Sequence, residues 1–350
     1  MAFDHGGDWT GFYRARGTLP LDFSASISPL GLPDGVREAA IRALKEADRY
    51  PDPFCRDLRA AIGAAWNVPT PWILCGNGAG DLIERVIQAV RPKKAMVTSP
   101  AFSEYSAALR RTGCQVTAYP LSPENGFRLT EAVLPAITPD LDLVFLCEPN
   151  NPTGVTTAPD LLTAILDRCG RCGALPVVDE CFNGLLSHPE AHTLVPLLRS
   201  HRLLILNAFT KLYAMAGLRL GFALSRDEAL LEAMRKAGQP WPVSCVAQAA
   251  GIAALEDRGY PDRLRALLDR ARPALKAGLS ALGATAVTGE ANYLLFRFPD
   301  PDLADKLEDR GILLRRCAAY PGLGPGWYRA AVRSEAENRQ LLDAMRQVTE

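Results

Sequence analysis

The chain of 350 residues carries 39 Lys and Arg against 39 Asp and Glu, a formal net charge of zero, and 48% of it is apolar. The balance offers no basic stripe to nucleic acid or an anionic membrane, and apolar runs such as 141–147 and 174–178 are too short to span a bilayer. The length predicts two or three domains, or one large α/β unit with an appendage. Nine scattered cysteines, and an N-terminus without a basic flank or apolar segment, predict a cytoplasmic protein with free thiols rather than a secreted one.

Residues 1–30 read as an arm with Gly6-Gly7 and a strand-like piece at 21–23, followed by a loop holding Pro29, Gly31 and Pro33. Asp34 is expected to cap a helix over 35–47, where Val36, Ala40, Ile41 and Leu44 recur at helical spacing. Residues 49–53 break that pattern, and 58–66 form a second helix. A short strand at 72–74 leads into Gly76-Asn77-Gly78-Ala79-Gly80-Asp81 and an apolar helix over 82–90. Strand, glycine loop and helix present free amide N–H groups to a phosphate, and the glycines let backbone approach closely. A dinucleotide site would also need an acid ending a second strand about twenty residues on. The stretch 95–100 has none there, which disfavours that reading.

Strands are then expected at 95–98, 115–119, 143–146, 175–178 and 203–206, with helices at 103–112, 129–137 and 158–172 between them. This is the βαβ rhythm of a largely parallel sheet, whose ligands sit beyond the carboxyl ends of the strands. Phe102, the run EPNNPTG at 148–154, Asp179-Glu180 and Lys211 all fall at such ends. From about 240 the character changes. After the break QPWPVS come helices at 245–255 and 260–282, strands at 292–298, 313–316 and 327–331, and a last helix at 335–348, a smaller α+β unit. Cys169 and Cys172 form a CxxC at a helix end with no second Cys/His pair, so no metal is expected. His188 and His192 flank Pro189 and read as surface histidines on a loop.

Lys211 follows the buried strand at 203–206, with Thr210 beside it and Arg219 eight residues on. A buried lysine loses its proton easily and forms imines, while a hydroxyl and a guanidinium suit a phosphate. A snorkelling surface lysine with a structural arginine is the plainer reading of the same stretch. One ligand uses all the groups together. An aldehyde bearing a phosphate needs the amine of Lys211 and a cup made by the amides of Ala79 and Gly80 with Thr210 and Arg219. If it carries a pyridine ring, Asp179 keeps the ring nitrogen protonated, which makes the ring an electron sink. Asn151 reaches the ring oxygen and Phe102 covers a ring face. That ligand is pyridoxal 5′-phosphate. Singly, a helix cap, a core aromatic and a turn would explain the parts.

The set GNGAGD, PxFxEY, EPNNPTG, VVDECF, FTK and GLRLGF resembles the fold-type I pyridoxal-phosphate enzymes, the aspartate aminotransferase superfamily, over nearly the whole chain. The resemblance implies an α/β fold: a large domain with a mostly parallel seven-stranded sheet and a smaller α+β domain. It divides the chain into an arm at 1–30, a large domain at 31–240 and a small domain at 241–350 joined by part of the N-terminal segment. Within the superfamily the chain is most similar to the branch of histidinol-phosphate aminotransferases and threonine-phosphate decarboxylases. His5-Gly6-Gly7, FSASISPLG and LLRRCAAYPGLGPGWYRAAVR lean toward the decarboxylases of cobalamin synthesis, as does Phe182 where the aminotransferases usually have Tyr. The implied reaction is decarboxylation of L-threonine O-3-phosphate, with amino-acid transamination as the alternative. The implied roles are Lys211 as the covalent anchor, Asp179 on the ring nitrogen, Asn151 on the ring oxygen, Phe102 stacked, and Ala79, Gly80, Thr210 and Arg219 on the phosphate. Tyr50 would reach the cofactor phosphate of a partner subunit in a homodimer. Arg315 and Arg329 would bind anionic substrate groups, and His5 would close over the substrate. Three positions depart from the pattern: Ala208 stands where relatives often carry Ser or Thr, and Ser26 and Ser28 replace two asparagines expected near the substrate entrance.

Overall fold

Apolar runs four to six residues long, punctuated by Gly, Pro and Asp, give the strands of this chain. A computed structural model describes residues 5–349, so the first four residues of the expected arm, and the reading of the extreme N-terminus, lie outside the described residues. In chain order the strands are β1 (Leu21–Asp22), β2 (Ile73–Gly76), β3 (Lys94–Ser99), β4 (Gln115–Pro120), β5 (Leu143–Cys147), β6 (Leu175–Asp179), β7 (Leu204–Ala208), β8 (Gly221–Leu224), β9 (Thr285–Ala286), β10 (Tyr293–Arg297), β11 (Ile312–Leu313), β12 (Arg315–Arg316) and β13 (Trp327–Ala331).

Seven of them form one sheet in the order β2-β8-β7-β6-β5-β3-β4. Its pairs are parallel except where β8 runs antiparallel to β2 and β7. Every residue of β5 and β6 is buried, as expected of strands covered by helices on both faces. Alternation along β5 divides the core: Leu143, Phe145 and Cys147 join one cluster with Leu82, Val86 and Leu109, while Val144 and Leu146 join the other with Leu58, Ile165 and Leu264. A second, four-stranded sheet has the order β12-β13-β10-β9, and β1 pairs parallel with β11.

Several elements differ from the sequence expectation for identifiable reasons. The helix placed at 82–90 begins at Gly78, so the glycine segment is its first turn rather than a loop before it. The next discrepancy is the helix placed at 35–47, which runs Asp34–Ala43 with Pro33 as its N-cap and no side-chain cap bond. Asp34 instead adds a negative charge to the first turn, where the helix dipole favours it. The stretch expected as a helix at 129–137 is only a 3-10 segment, Glu131–Ala136, because Pro135 lies inside it without an N–H. One strand expected at 313–316 is two, β11 and β12, each with a different partner. Trp72 closes a 3-10 turn ahead of β2 instead of opening the strand.

Sequence periodicity missed β8, β9 and a helix in the arm, Trp9–Arg16. That helix is capped by Asp8, whose carboxylate accepts from the Gly11 N–H at 2.9 Å, and closed by Gly17 at φ 74°. His188 is exposed, as expected, but His192 is half-buried rather than a surface residue. Cys169 and Cys172 lie on the helix Pro159–Cys172 as free thiols. Among the described residues no group of three His, Cys, Asp or Glu could hold a metal ion, and no helix is long and apolar enough to cross a membrane.

One contact joins the sheet to the helix that starts at Gly78. Gly221 of β8 approaches the first turn so closely that a Cβ there would lie 2.8 Å from the Ala79 nitrogen and 3.0 Å from the Asn207 carbonyl oxygen. Both are backbone atoms, so neither can swing aside. Gly221→Ala is therefore expected to destabilise the fold by about 1–3 kcal/mol, read as a lower Tm. Gly217→Ala, which meets nothing within 4 Å, should leave Tm unchanged in the same scan.

Candidate active site

The carboxyl ends of β3, β5, β6 and β7 surround a cavity of about 420 Å³. Its walls bring together eleven of the twelve residues singled out in the sequence: His5, Ala79, Gly80, Phe102, Asn151, Asp179, Thr210, Lys211, Arg219, Arg315 and Arg329. Tyr50 is not among them. It is 78% exposed and stacks on Trp241 with ring centroids 4.2 Å apart.

Lys211 is carried by the short helix Phe209–Leu212 directly after β7. The residue is half-buried, and its Nζ lies 5.7 Å from the centroid of the Phe182 ring. Burial, then the nearby Arg329 guanidinium, push the amine down to about 8, with Arg219 adding to the shift and Cys181 and Asp179 opposing it. A lysine in this range supplies free amine near neutral pH.

Asp179 ends β6 and is 6% exposed. Its Oδ2 accepts from the Tyr105 hydroxyl at 2.6 Å and its Oδ1 from the Cys181 N–H at 2.9 Å. Burial and the Asp179 charge push the Tyr105 phenol well above its ordinary range, so it stays a donor. Opposite, Arg329 donates from Nη1 to Asn151 Oδ1 and from Nη2 to the Ser24 carbonyl at 3.1 Å, and lies over the Tyr293 ring at 5.0 Å. The register of β12 and β13 sets Arg315 directly across from Arg329. Arg315 lies 5.5 Å over the Tyr320 ring.

The third wall is the N-terminus of the helix Gly78–Val90. Its first-turn amides have no partners within the helix, and its dipole favours an anion. Arg219 sits over this turn. A Cβ on Gly78, whose φ is +78°, would fall 2.6 Å from the Arg219 Nη2. The turn is fixed from behind by Asp81, whose carboxylate accepts from the Asn77 N–H at 2.8 Å and from the buried Arg85 Nε at 2.9 Å. At the cavity mouth, His5 Nε2 lies 3.0 Å from Glu104 Oε1. Gly6 presses on the Ser24 carbonyl, where a Cβ would come within 2.2 Å of the oxygen, and the Gly7 N–H bonds Ser24 Oγ at 2.8 Å.

Ser26 and Ser28 do not lie at the entrance as expected. Both are buried, neither lines the cavity, and Ser28 Oγ hydrogen-bonds the Tyr260 hydroxyl at 2.6 Å. Ser24 and Ala25 take that place on the wall, while Ala208 does line the cavity and brings no hydroxyl to it. Sequence reasoning missed Tyr105, Tyr320 and Cys181. The helical spacing of Tyr105 from Phe102 was the available signal for the first. Glu148 and Glu180, pushed up to about 8 and about 7 by burial, serve the scaffold: they accept from the Thr157 N–H and from the Leu194 N–H and Thr193 hydroxyl.

The cavity therefore combines a neutralisable amine, a buried carboxylate, a helix N-terminus under a guanidinium, and two further arginines. It also holds a buried Arg329 Nε with no hydrogen-bond partner. These donors fit a phosphorylated, aldehyde-bearing, aromatic ligand. The family described as Aminotransferase class I and II matches residues 20–345. This chain belongs to that family. It is 40% identical to a threonine-phosphate decarboxylase of Salmonella typhimurium, over 98% of this chain and 96% of that one. It is 34% identical to a histidinol-phosphate aminotransferase of Symbiobacterium thermophilum, over 91% of this chain and 88% of that one. Among solved structures it is similar to an aspartate aminotransferase of Thermus thermophilus with maleate, at TM-score 0.84 and 27% identity over 96% of this chain and 93% of that one. The cofactor of the family is pyridoxal 5′-phosphate, and the donor set described above suits it.

The depressed Lys211 amine makes a signed prediction for cofactor-free protein. The unfolded chain holds that proton up to about 10.5, the folded one only to about 8, so the unfolded state binds more protons between these values and stability rises with pH across the window. Lys211→Met should accordingly be more stable than the parent at pH 7. The gap in Tm between the two should narrow steadily toward pH 10, and a gap independent of pH would refute the shift.

Proposed function

We propose that the chain is a pyridoxal-phosphate-dependent lyase that decarboxylates L-threonine O-3-phosphate to (R)-1-amino-2-propanol O-2-phosphate and CO2, a step of cobalamin synthesis. The observation that carries the choice of reaction is the 40% identity to a threonine-phosphate decarboxylase over 98% of the chain. The convergence of Lys211, Asp179 and two arginines on one cavity supports the cofactor chemistry.

When bound, pyridoxal phosphate supplies an aldehyde for the substrate amine and a protonated ring that accepts the electron pair left as CO2 departs. In our reading Lys211 anchors the cofactor and, once freed by the substrate amine, returns a proton to Cα. Asp179 holds the ring nitrogen protonated and Asn151 orients the ring oxygen. Phe102 covers the ring face, while the amides of Ala79 and Gly80, with Thr210 and Arg219, hold the phosphate. Arg315 and Arg329 would bind the anionic groups of the substrate, its phosphate and its carboxylate, and so orient it in the cavity. His5 shields the site from water at the mouth. We retain an arm at 1–30, a large domain at 31–240 and a small domain at 241–350. The pairing of β1 with β11 supports joining part of the N-terminal segment to the last of these. Nine free thiols suit the cytoplasm, to which we assign the enzyme.

The deciding assay offers L-threonine O-3-phosphate to cofactor-loaded protein with and without 2-oxoglutarate. Stoichiometric CO2 that does not depend on the oxo acid is expected. Glutamate formed from histidinol phosphate and 2-oxoglutarate, without CO2, would make the enzyme an aminotransferase instead. Lys211→Ala should abolish both turnover and the visible absorbance of the bound cofactor.

The functional unit in this reading is a homodimer in which Tyr50 reaches the partner's cofactor phosphate. Its exposure outside its own cavity, beside the exposed Ile41, Leu44, Phe54 and Trp241, supports that role. Tyr50→Phe should weaken cofactor binding about tenfold, the range of one hydrogen bond to a charged group. Mixed dimers of Tyr50→Phe with Lys211→Ala chains should regain one site of parental affinity. Failure to regain it would place Tyr50 within its own subunit's machinery or outside the site altogether.

A further inference from the structure

Tyr105 has no part in the assignments above, yet it touches two of the groups they depend on. It sits on the helix Ser103–Arg111, one turn beyond Phe102, and is 1% exposed. Its hydroxyl donates to Asp179 Oδ2 at 2.6 Å. Its ring stacks on Phe145 of β5 with centroids 5.0 Å apart and planes 8° from parallel. The Tyr105 ring also meets Phe102 edge-on, with centroids 5.5 Å apart and planes at 80°. Phe145 is wholly buried in the sheet, so the phenol is mounted on the most rigid part of the fold.

We propose that Tyr105 is the positioning residue of this site: through one hydroxyl it fixes the plane of the Asp179 carboxylate, and through its ring it fixes Phe102. The proposal rests on the pyridoxal-phosphate reading of the cavity. A carboxylate has about four lone-pair sites. One is taken by the Cys181 N–H on Oδ1 and one by Tyr105 on Oδ2. With one donor on each oxygen, the group can no longer rotate about its Cβ–Cγ bond, and lone pairs remain for a ring N–H. The backbone N–H of Cys181 alone would leave Oδ2 to swing. Phe102, at the start of its helix, gains a fixed edge-on neighbour. Tyr105 thus sets the distance between the group that pairs with the ring nitrogen and the group that covers the ring face. It also contributes to the cavity wall, but its positioning role is exercised through these two neighbours.

A role exercised through Asp179 can be separated from a packing role by a double-mutant cycle on the equilibrium Kd of pyridoxal phosphate, measured by absorbance on stripped protein. Tyr105→Phe keeps the ring and removes only the donor. It should raise Kd about tenfold. In an Asp179→Asn background the same change should raise Kd less than twofold, because the carboxylate it orients is gone. Equal effects in both backgrounds, or less than twofold in the parent, overturn the proposal. Should Tyr105→Phe fail to fold, 3-fluorotyrosine at 105 keeps the shape and strengthens the O–H donor. Tighter cofactor binding by twofold or more then supports the proposal, and an unchanged Kd overturns it. Parent protein that binds no pyridoxal phosphate refutes the functional reading and this proposal with it. Parent protein that binds the cofactor through Lys211, with Tyr105 variants unaffected, refutes only the proposal.

Discussion

The site depends on holding one amine, that of Lys211, inside a wall of positive charge that loosens its grip on a proton. Lys211 lies near Arg329 and Arg219, and burial adds to their repulsion. A shift from 10.5 to about 8 corresponds to roughly 3 kcal/mol of added preference for the uncharged form over a lysine in water, which brings free amine within reach of neutral pH. Asp179 and the Cys181 thiol oppose that preference without cancelling it. The arginines therefore serve the cavity before any substrate arrives, since their field disfavours an ammonium in their midst. An anion beside Arg329 would weaken that field, which makes the protonation of Lys211 responsive to occupancy of the cavity.

That charge arrangement needs fixed backbone beneath it, and the sheet supplies it. β6 ends at Asp179 and its neighbour β7 ends at Ala208, three residues before Lys211. The parallel pairing of the two strands holds the carboxylate and the amine on the same edge. β8 then runs back antiparallel and brings Gly221 against the first turn of the helix at Gly78. The turn that offers its amides to a phosphate is thereby held to the strand that follows the lysine. Asp81 and the buried Arg85 fix it from the other side. The helix dipole and the first-turn amides favour an anion at this position.

Much of this was legible in the sequence because strand ends announce themselves. A buried apolar run followed by a polar residue and a turn places that residue at the rim of a parallel sheet, and this located Asp179, Asn151 and Lys211. The parts that escaped were those governed by contacts remote in sequence. β8 is four residues between a loop and a helix, with a pattern indistinguishable from a turn. Ser26 and Ser28 sit in a stretch whose composition suits an entrance loop, yet pairing of the neighbouring β1 with β11 carries it inward, and Ser28 is bonded to Tyr260, 232 residues away. The helix start at Gly78 was masked by three glycines that propensity would assign to a loop, although close approach of Arg219 is what Gly78 permits. Tyr50 remains a surface residue in a single chain, and no pattern within one chain can show what lies across an interface.

Cofactor and bond choice are separable problems on this scaffold. The lysine, the carboxylate and the phosphate cup serve any reaction at Cα, which is why the chain shares its fold with an aspartate aminotransferase at TM-score 0.84. Which bond breaks depends on the direction in which the substrate carboxylate is held. The two arginines that line the cavity beside Lys211, Arg315 and Arg329, stand on neighbouring strands of the second sheet, not of the first. Arg329 is also tied across to Asn151 and Ser24, so its guanidinium has little freedom to follow a substrate. Arg315 rests on the face of Tyr320. Where these two guanidiniums stand over the rim of the first sheet is therefore a property of the packing between elements rather than of any single side chain.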